Sequence, residues 1–467
     1  MAPIKLYGMA LSANVVRVAA VLNEKGLDFE IVDVDLRTGA HKHPDFIALN
    51  PFGQIPALQD GDEVLYESRA INRHIATKYK SQGPDLVPTP SAKLETWLEV
   101  ESHHFYPAVS PLVFQLLIKP MLGGAPDAAV VDKHAADLAK VLDVYEAHLA
   151  KGNKYLAGDA YTLADANHLS YMFMLTKTSK AELVASRPHV KAWWDDISAR
   201  PAWLKTVASV SVPVSVSYAP TPLRRSVIDL EPEPYAGSRR RSAKEAMAEA
   251  TPETSRKLYG YALSSNSVRI AALLNEKGLD YDLVAVDLDN KTPEFLAISP
   301  FGQIPAFQDG DDLLFESRAI SRHIATKYKH LGPDLLPTPS AKLETWLEVE
   351  SHHFYPAVAD LVYEIRVRPR LPGGASPDPA VVDGLARKVA DVLDVYEGHL
   401  AAGNRYLAGD VFTLADVNHM AQLLAVSKTP RAAELVAARP HVQAWWEDIS
   451  ARPAWKKTVA ALSLSPP

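Results

Sequence analysis

The chain has 467 residues, a net charge of −7 and no cysteine, with 22% charged and 47% hydrophobic residues. That length predicts roughly two to four domains, each able to bury its own core. The modest charge gives no pull toward nucleic acid or a membrane surface, and no apolar run nears the ~18–20 residues of a membrane span. The lack of cysteine excludes disulfides, thiolate metal sites and a cysteine nucleophile, so any thiol chemistry must use a thiol brought by the substrate.

From the N-terminus, residues 4–7 form a short apolar strand. Val15, Val18, Ala19 and Leu22 recur at helical spacing over 14–25, and Gly26 follows as a residue free to make the left-handed turn that ends a helix. Residues 29–34 alternate as a strand does. A short helix is expected near 44–49, then strands over 57–59 and 64–66 joined at Asp60-Gly61, then a helix over 68–79. The order βαβ-α-ββα predicts a small α/β domain with a mixed sheet. From Ser91 onward the spacing is helical only. Helices are expected over 91–117, 128–150, 162–175, 189–197 and 202–208, the third opening on the capping box Thr162-Leu163-Ala164-Asp165.

The pattern then repeats. Lys5-Leu6-Tyr7-Gly8 recurs as Lys257-Leu258-Tyr259-Gly260, residues 91–104 as 340–353, and Thr162 to Asp165 as Thr413 to Asp416. A period of about 250 residues is too long for a solenoid and marks a tandem duplication of a whole protein. The expected division is an α/β domain over 1–82, a helical domain over 90–210, a linker over 211–255, a second α/β domain over 256–331 and a second helical domain over 339–463. The linker carries scattered prolines, the run Arg239-Arg240-Arg241 and one possible short helix at 242–250.

A further stretch repeated nearly letter for letter is Asn50-Pro51-Phe52-Gly53-Gln54-Ile55-Pro56 followed by Glu67-Ser68-Arg69-Ala70-Ile71. Its second copy is Ser299-Pro300-Phe301-Gly302-Gln303-Ile304-Pro305 with Glu316-Ser317-Arg318-Ala319-Ile320. Each reads as a turn, a strand entered through a proline, a second strand and a helix start with free backbone N–H groups. Ser12 and Ser264 stand just before the first helices, where a serine serves as an N-cap or as a hydroxyl donor to something bound there. Tyr7 and Tyr259, on the first strands, are the competing donors. His103-His104 and His352-His353 diverge by about 100° on a helix and make a poor metal pair, so no metal site is expected.

A βαβ-α-ββα unit followed by an all-helical domain resembles the glutathione transferases. The motifs Lys-Leu-Tyr-Gly with Ser12 downstream, His41-Lys42, Asn-Pro-Phe-Gly-Gln-Ile-Pro, Glu-Ser-Arg-Ala-Ile and Arg-Pro-His-Val…Ala-Trp-Trp are similar to the plant phi class across nearly all of each copy. The resemblance implies a thioredoxin-like domain and a helical bundle, duplicated, in a cytoplasmic enzyme. Such an enzyme conjugates glutathione to hydrophobic electrophiles, with a glutathione-peroxidase side activity, glutathione as co-substrate and no permanent cofactor. It implies that Ser12 and Ser264 hydrogen-bond the glutathione sulfur. A thiol of pKa about 8.5 is only a few per cent ionised at neutral pH, and lowering that by about two units corresponds to roughly 2.7 kcal/mol. A hydroxyl donor at a helix N-terminus acts in that direction.

By the same resemblance, Pro56 and Pro305 are cis prolines that turn the backbone of Ile55 and Ile304 toward the cysteinyl residue of the tripeptide. Glu67, Ser68, Glu316 and Ser317 hold the γ-glutamyl end, Gln54 and Gln303 add an amide, and His41, Lys42 and Lys291 meet the glycyl carboxylate. Copy two is three residues shorter here and has Asn290 for His41. The electrophile is expected against Leu11, Phe114, Leu117 and Ile118 in copy one, and against Leu263, Tyr363, Arg366 and Val367 in copy two, with Glu364 replacing Gln115. Family members pair as dimers through the bundle and the Phe52-type loop. A linker of about 45 residues reaches roughly 35–40 Å, which should let the two copies pair within one chain as a pseudo-dimer, the alternative being a homodimer paired between chains.

Overall fold

A computed structural model describes residues 3–88, 91–208, 256–337 and 340–463. The expected linker, with its arginine run and short helix, lies outside the described residues. In the first copy β1 (Ile4–Tyr7), α1 (Ala13–Glu24), β2 (Phe29–Val32), α2 (Pro44–Ile47), β3 (Ala57–Asp60), β4 (Glu63–Tyr66) and α3 (Ser68–Lys78) follow in the predicted order. The sheet runs β2-β1-β3-β4, with β1 parallel to β2 and antiparallel to β3. Val15, Val18, Ala19 and Leu22 are all buried, so the apolar stripe read from the sequence is the core face of α1. Gly26 takes φ +64° just beyond the helix, as a left-handed stop requires.

The helical part comprises α4 (Ala92–Val100), α5 (Tyr106–Val113), α6 (Lys119–Met121), α7 (Ala128–Leu149), α8 (Leu163–Ala166), α9 (Leu169–Leu175), α10 (Glu182–Ala185), α11 (Pro188–Ser198) and α12 (Pro201–Ala208). The single helix expected over 91–117 is instead divided by two wide π-type turns, Glu101–Phe105 and Phe114–Ile118. Pro107 and Pro120 follow these turns, and Pro111 lies between them. A proline lacks the N–H of the regular ladder and clashes with the preceding turn, and a widened turn accommodates that. The short helix α10 was not expected from spacing.

The second copy repeats the fold as β5 (Arg256–Gly260), α13 (Ser265–Glu276), β6 (Asp282–Ala285), α14 (Pro293–Ile298), β7 (Ala306–Asp309), β8 (Asp312–Phe315) and α15 (Ser317–Lys327). The helices α16 (Ala341–Val349), α17 (Tyr355–Val362), α18 (Pro379–Ala401), α19 (Leu414–Ser427), α20 (Pro430–Ala437), α21 (Pro440–Ser450) and α22 (Pro453–Ser463) complete it. The helix opened by the capping box is continuous here as α19, whereas copy one breaks between α8 and α9. In both boxes the aspartate is fully buried. Asp165 accepts from the N–H groups of Leu156 and Thr162, from the Thr162 hydroxyl and from the Trp193 indole, at 2.9–3.2 Å.

The copies face each other through their α/β and helical parts in crossed fashion: α4 packs on α15, and α16 on α3. Phe52 and Tyr66 lie against the core of copy two, and Phe301 and Phe315 against that of copy one. At the centre Arg73 and Arg322 each pair with the glutamate of their own copy at 2.5–2.6 Å and reach the opposite one, Glu344 or Glu95, at 3.5–3.6 Å.

Candidate functional site

Each site begins with a turn. In copy one the buried Asn50 accepts from the Phe52 N–H at 3.0 Å and donates to the Gln54 carbonyl at 2.6 Å, shaping the loop that carries Phe52. Gly53, at φ +58°, brings the backbone against its neighbours. A Cβ there would stand 2.8 Å from the His41 carbonyl oxygen and 2.9 Å from Lys42 Nζ. In copy two Ser299 replaces Asn50 and keeps one bond, 2.8 Å to the Gln303 carbonyl. Lys291 Nζ lies beside Gly302 as Lys42 does beside Gly53, so the lysine keeps its place although the preceding loop is shorter.

Beyond the turn the Ile55-Pro56 and Ile304-Pro305 bonds are cis, as expected. Glu67 and Glu316 follow β4 and β8 at φ +67° and +68°, a left-handed conformation that costs a non-glycine residue on the order of 1–2 kcal/mol and is retained only where the surroundings dictate it. Gln54, Ile55, Pro56, Glu67 and Ser68 line one cleft of about 600 Å³ with Asn14. Gln303, Ile304, Pro305, Glu316 and Ser317 line its counterpart, also about 600 Å³, with Asn266.

Ser12 and Ser264 are the N-caps of α1 and α13, two residues before those asparagines. The Ser12 hydroxyl makes no capping bond, while Ser264 Oγ accepts from the Ser267 N–H at 3.5 Å, which leaves its own hydrogen free to donate. Tyr7 and Tyr259 donate instead to Gln59 and Gln308 at 3.0 and 3.1 Å on the next strand, so their hydroxyls are spent within the sheet. His41, Lys42, Ser12 and Ser264 do not line these clefts. The His41 Nδ1 atom is buried without a protein hydrogen-bond partner.

Beneath each cleft lies a buried charge cluster that sequence reading missed. Arg17, wholly buried, donates to Ser68 Oγ at 3.0 Å, Asn14 Oδ1 at 3.2 Å, the Asn167 carbonyl at 3.1 Å and Glu101 Oε1 at 2.9 Å. Arg69 grips both oxygens of Glu101 at 2.6 and 3.1 Å. Burial alone would raise the Glu101 carboxyl, but Arg17 and Arg69 outweigh it and hold it at about 2. Arg269, Arg318 and Glu350 repeat the arrangement in copy two, with Glu350 also at about 2. The signal for this cluster was one buried arginine on the apolar face of α1, which spacing alone reads as an exposed charge.

The expected electrophile walls differ between the copies. Leu11, Leu117 and Ile118 are half-buried and Phe114 is 45% exposed; opposite numbers Leu263, Tyr363 and Val367 are all exposed, Tyr363 by 49%. The Gln115 to Glu364 change has a structural reason. Gln115 accepts from the Asp127 N–H and Lys119, and Glu364 accepts from the Asp378 N–H and Arg368, each tying the helix to the cap of the next one. Glu364 is therefore buried packing rather than wall. Among the described residues, Asp60, Glu63 and His74, with their equivalents Asp309, Asp312 and His323, have carboxylate and imidazole atoms near enough for a metal. Lys78 Nζ already stands 2.8 Å from Asp60 and 2.7 Å from Glu63, supplying the cation from the protein itself.

Models of the glutathione S-transferase N-terminal domain match residues 2–77 and 254–326, and those of the C-terminal domain match 105–201 and 354–453. The chain belongs to the glutathione S-transferase family. Glutathione S-transferase 3 of Zea mays is 72% identical over 216 residues, covering 46% of this chain and 97% of that protein. Glutathione S-transferase F13 of Arabidopsis thaliana is 49% identical over 212 residues, or 44% and 96%. The solved structure of glutathione S-transferase III in apo form aligns at 74% identity over 47% of this chain and all of that one, with a TM-score of 0.43. With both family domains matched twice, the glutathione S-transferase here is a plant phi-class tandem of two full-length copies. No helix among its described residues is long and apolar enough to cross a membrane.

Proposed function

We propose that both halves bind glutathione and that its thiolate is stabilised by Ser12 in one half and Ser264 in the other, then transferred to hydrophobic electrophiles. The observation that carries this reading is the twice-built cleft in which Gln-Ile-Pro and Glu-Ser meet the first turn of a helix whose N-cap is a serine. The free hydroxyl hydrogen and the helix N-terminus both favour an anion there. Ile55 and Ile304 offer backbone to the cysteinyl residue. Ser68 and Ser317, at helix starts, take the γ-glutamyl carboxylate, and Glu67 and Glu316 take its ammonium. Gln54 and Gln303 add amide contacts, and His41, Lys42 and Lys291 meet the glycyl carboxylate. The electrophile lies against Leu11, Phe114, Leu117 and Ile118, or Leu263, Tyr363 and Val367. The same thiolate can attack a hydroperoxide, giving a peroxidase side activity.

In this reading residues 1–82 and 256–331 carry the glutathione sites, 90–210 and 339–463 the electrophile walls, and the halves pair within one chain in the cytoplasm. Light scattering then returns the chain's own 51.0 kDa; twice that mass would favour pairing between chains. Removing a charge-assisted donor costs about 1.5–3 kcal/mol, or roughly 10–100-fold in kcat/KM at the affected site. Conjugation kinetics of Ser12→Ala, Ser264→Ala and the double variant test this, and an unchanged double variant sinks the serine assignment. A second reading, glutathione and hydrophobic-ligand carriage without turnover, is favoured only for copy two, where Ser264 Oγ already accepts a backbone bond and the wall is exposed. It predicts that Ser12→Ala alone abolishes turnover while two glutathiones still bind.

A further inference from the structure

His353 Nε2 lies 2.9 Å from Glu67 Oε1, and its ring stacks on Phe52 with centroids 3.8 Å apart. His104 Nε2 lies 2.8 Å from Glu316 Oε1 and stacks on Phe301 at 3.7 Å. Each histidine comes from the helical part of one copy and meets the glutamate of the other. A carboxylate only accepts, so in each pair the ring nitrogen carries the proton and donates. His353 lines the copy-one cleft together with Gln54, Ile55 and Ser68. The glutamates that receive these bonds are, among the described residues, the two non-glycine residues with left-handed φ, a backbone held there only where the surroundings dictate it. The neighbouring histidines extend the crossing: His352 Nε2 is 3.3 Å from Arg69 Nη1, and His103 Nε2 is 3.3 Å from Arg318 Nη1.

We propose that His353 and His104 are positioning residues that complete the glutathione site of the opposite half, so that neither site is whole without the other copy. The proposal rests on the reading that Glu67 and Glu316 bind the γ-glutamyl ammonium. The imidazole fixes one carboxylate oxygen and leaves the other to the ligand; without it, the glutamate must be ordered by glutathione itself, and that cost falls on binding rather than on the chemical step. The effect is crossed. A change in the helical part of copy two weakens binding in copy one.

The test uses the full chain carrying Ser264→Ala, so that turnover reports copy one, together with calorimetric titration of glutathione into the chain with both serines intact. Two second variants separate the bond from the stack: His353→Phe keeps a ring on Phe52 without the donor, and His353→Gln keeps a donor without the ring. His353→Phe is expected to raise the KM for glutathione about tenfold with kcat changed less than twofold, and to weaken one of two calorimetric sites. His353→Gln is expected to stay within threefold of the parent. The proposal is overturned if Phe preserves KM, if Gln is as impaired as Phe, or if both calorimetric sites weaken equally. Glu67→Ala distinguishes the underlying reading: if it leaves glutathione affinity intact, that reading falls and the proposal with it. If Glu67→Ala weakens binding and His353→Phe does not, only the proposal falls.

Discussion

Replacing Glu101 with glutamine keeps the shape of the side chain and removes the anion between two arginines. Glu101 is wholly buried, its two oxygens take bonds from Arg17 and Arg69, and the pair holds its carboxyl at about 2 instead of the usual 4.5. That displacement corresponds to about 3 kcal/mol. Breaking a buried pair by removing one partner costs about 3–5 kcal/mol, because the partner left behind is an unneutralised charge. For a half of about 210 residues, an unfolding entropy near 0.4 kcal/mol/K turns this into a melting temperature lower by about 7–11 °C. Calorimetric melting of the full chain measures it, with Lys191→Ala, which breaks an exposed pair with Asp195, as the control expected to move the transition by less than about 1 °C. The pH dependence is fixed by the same numbers. The folded carboxyl titrates below the unfolded one, so its contribution is complete above about pH 4.5 and disappears as pH falls toward 2. The gap between wild type and variant should narrow between pH 5 and pH 3. A drop of under 2 °C at pH 7, or a gap that stays constant with pH, would refute the reasoning.

Further outcomes follow from the same contacts. Gly53→Ala adds a Cβ at φ +58° within 2.9 Å of Lys42 Nζ and the His41 carbonyl, and should cost about 1–3 kcal/mol and raise the KM for glutathione in copy one; denaturant unfolding and kinetics check both. Phe52→Ala removes a ring seated in the opposite copy's core and stacked on His353, and should cost about 3 kcal/mol, seen as faster limited proteolysis. Asp165→Ala leaves four donors facing a cavity and should lower stability by about 3 kcal/mol in chemical denaturation. His168 and His419 are fully buried and held at about 4 by that burial, against an ordinary 6.5. The unfolded chain takes up these protons first, so the histidines pull the melting temperature down as pH falls from 6.5 to 4, against Asp165 and Asp416, whose carboxyls burial raises to about 6; the melting temperature of the parent relative to His168→Gln should therefore fall across that range.

The parts legible in sequence were those whose partners lie close along the chain. The βαβ-α-ββα order, the buried stripe of α1, the Gly26 stop and the capping box at Thr162 all follow from spacing over a few residues, and the structure has each of them. The π-type turns at Glu101 and Phe114 were not, because the apolar period through them stays close enough to helical to hide one extra residue per turn. The Gln115 to Glu364 change was read as part of a ligand wall. Its meaning depended on Arg368 replacing Lys119 four residues on and on a backbone N–H beyond the next loop. Least legible were His104 and His353. Their partners lie 212 and 286 positions away, in the other copy, and no periodicity within one copy points to them.

The crossed seating of Phe52 and Phe301 also bears on bookkeeping of a different kind. Were the copies separate chains with these same faces, they would sort into three dimers: two alike and one mixed. Tethered and paired within the chain, they form only the mixed one. Every molecule then carries one copy with His41 and Phe114 and one copy with Asn290 and Tyr363, in a fixed one-to-one ratio that no change in expression can alter.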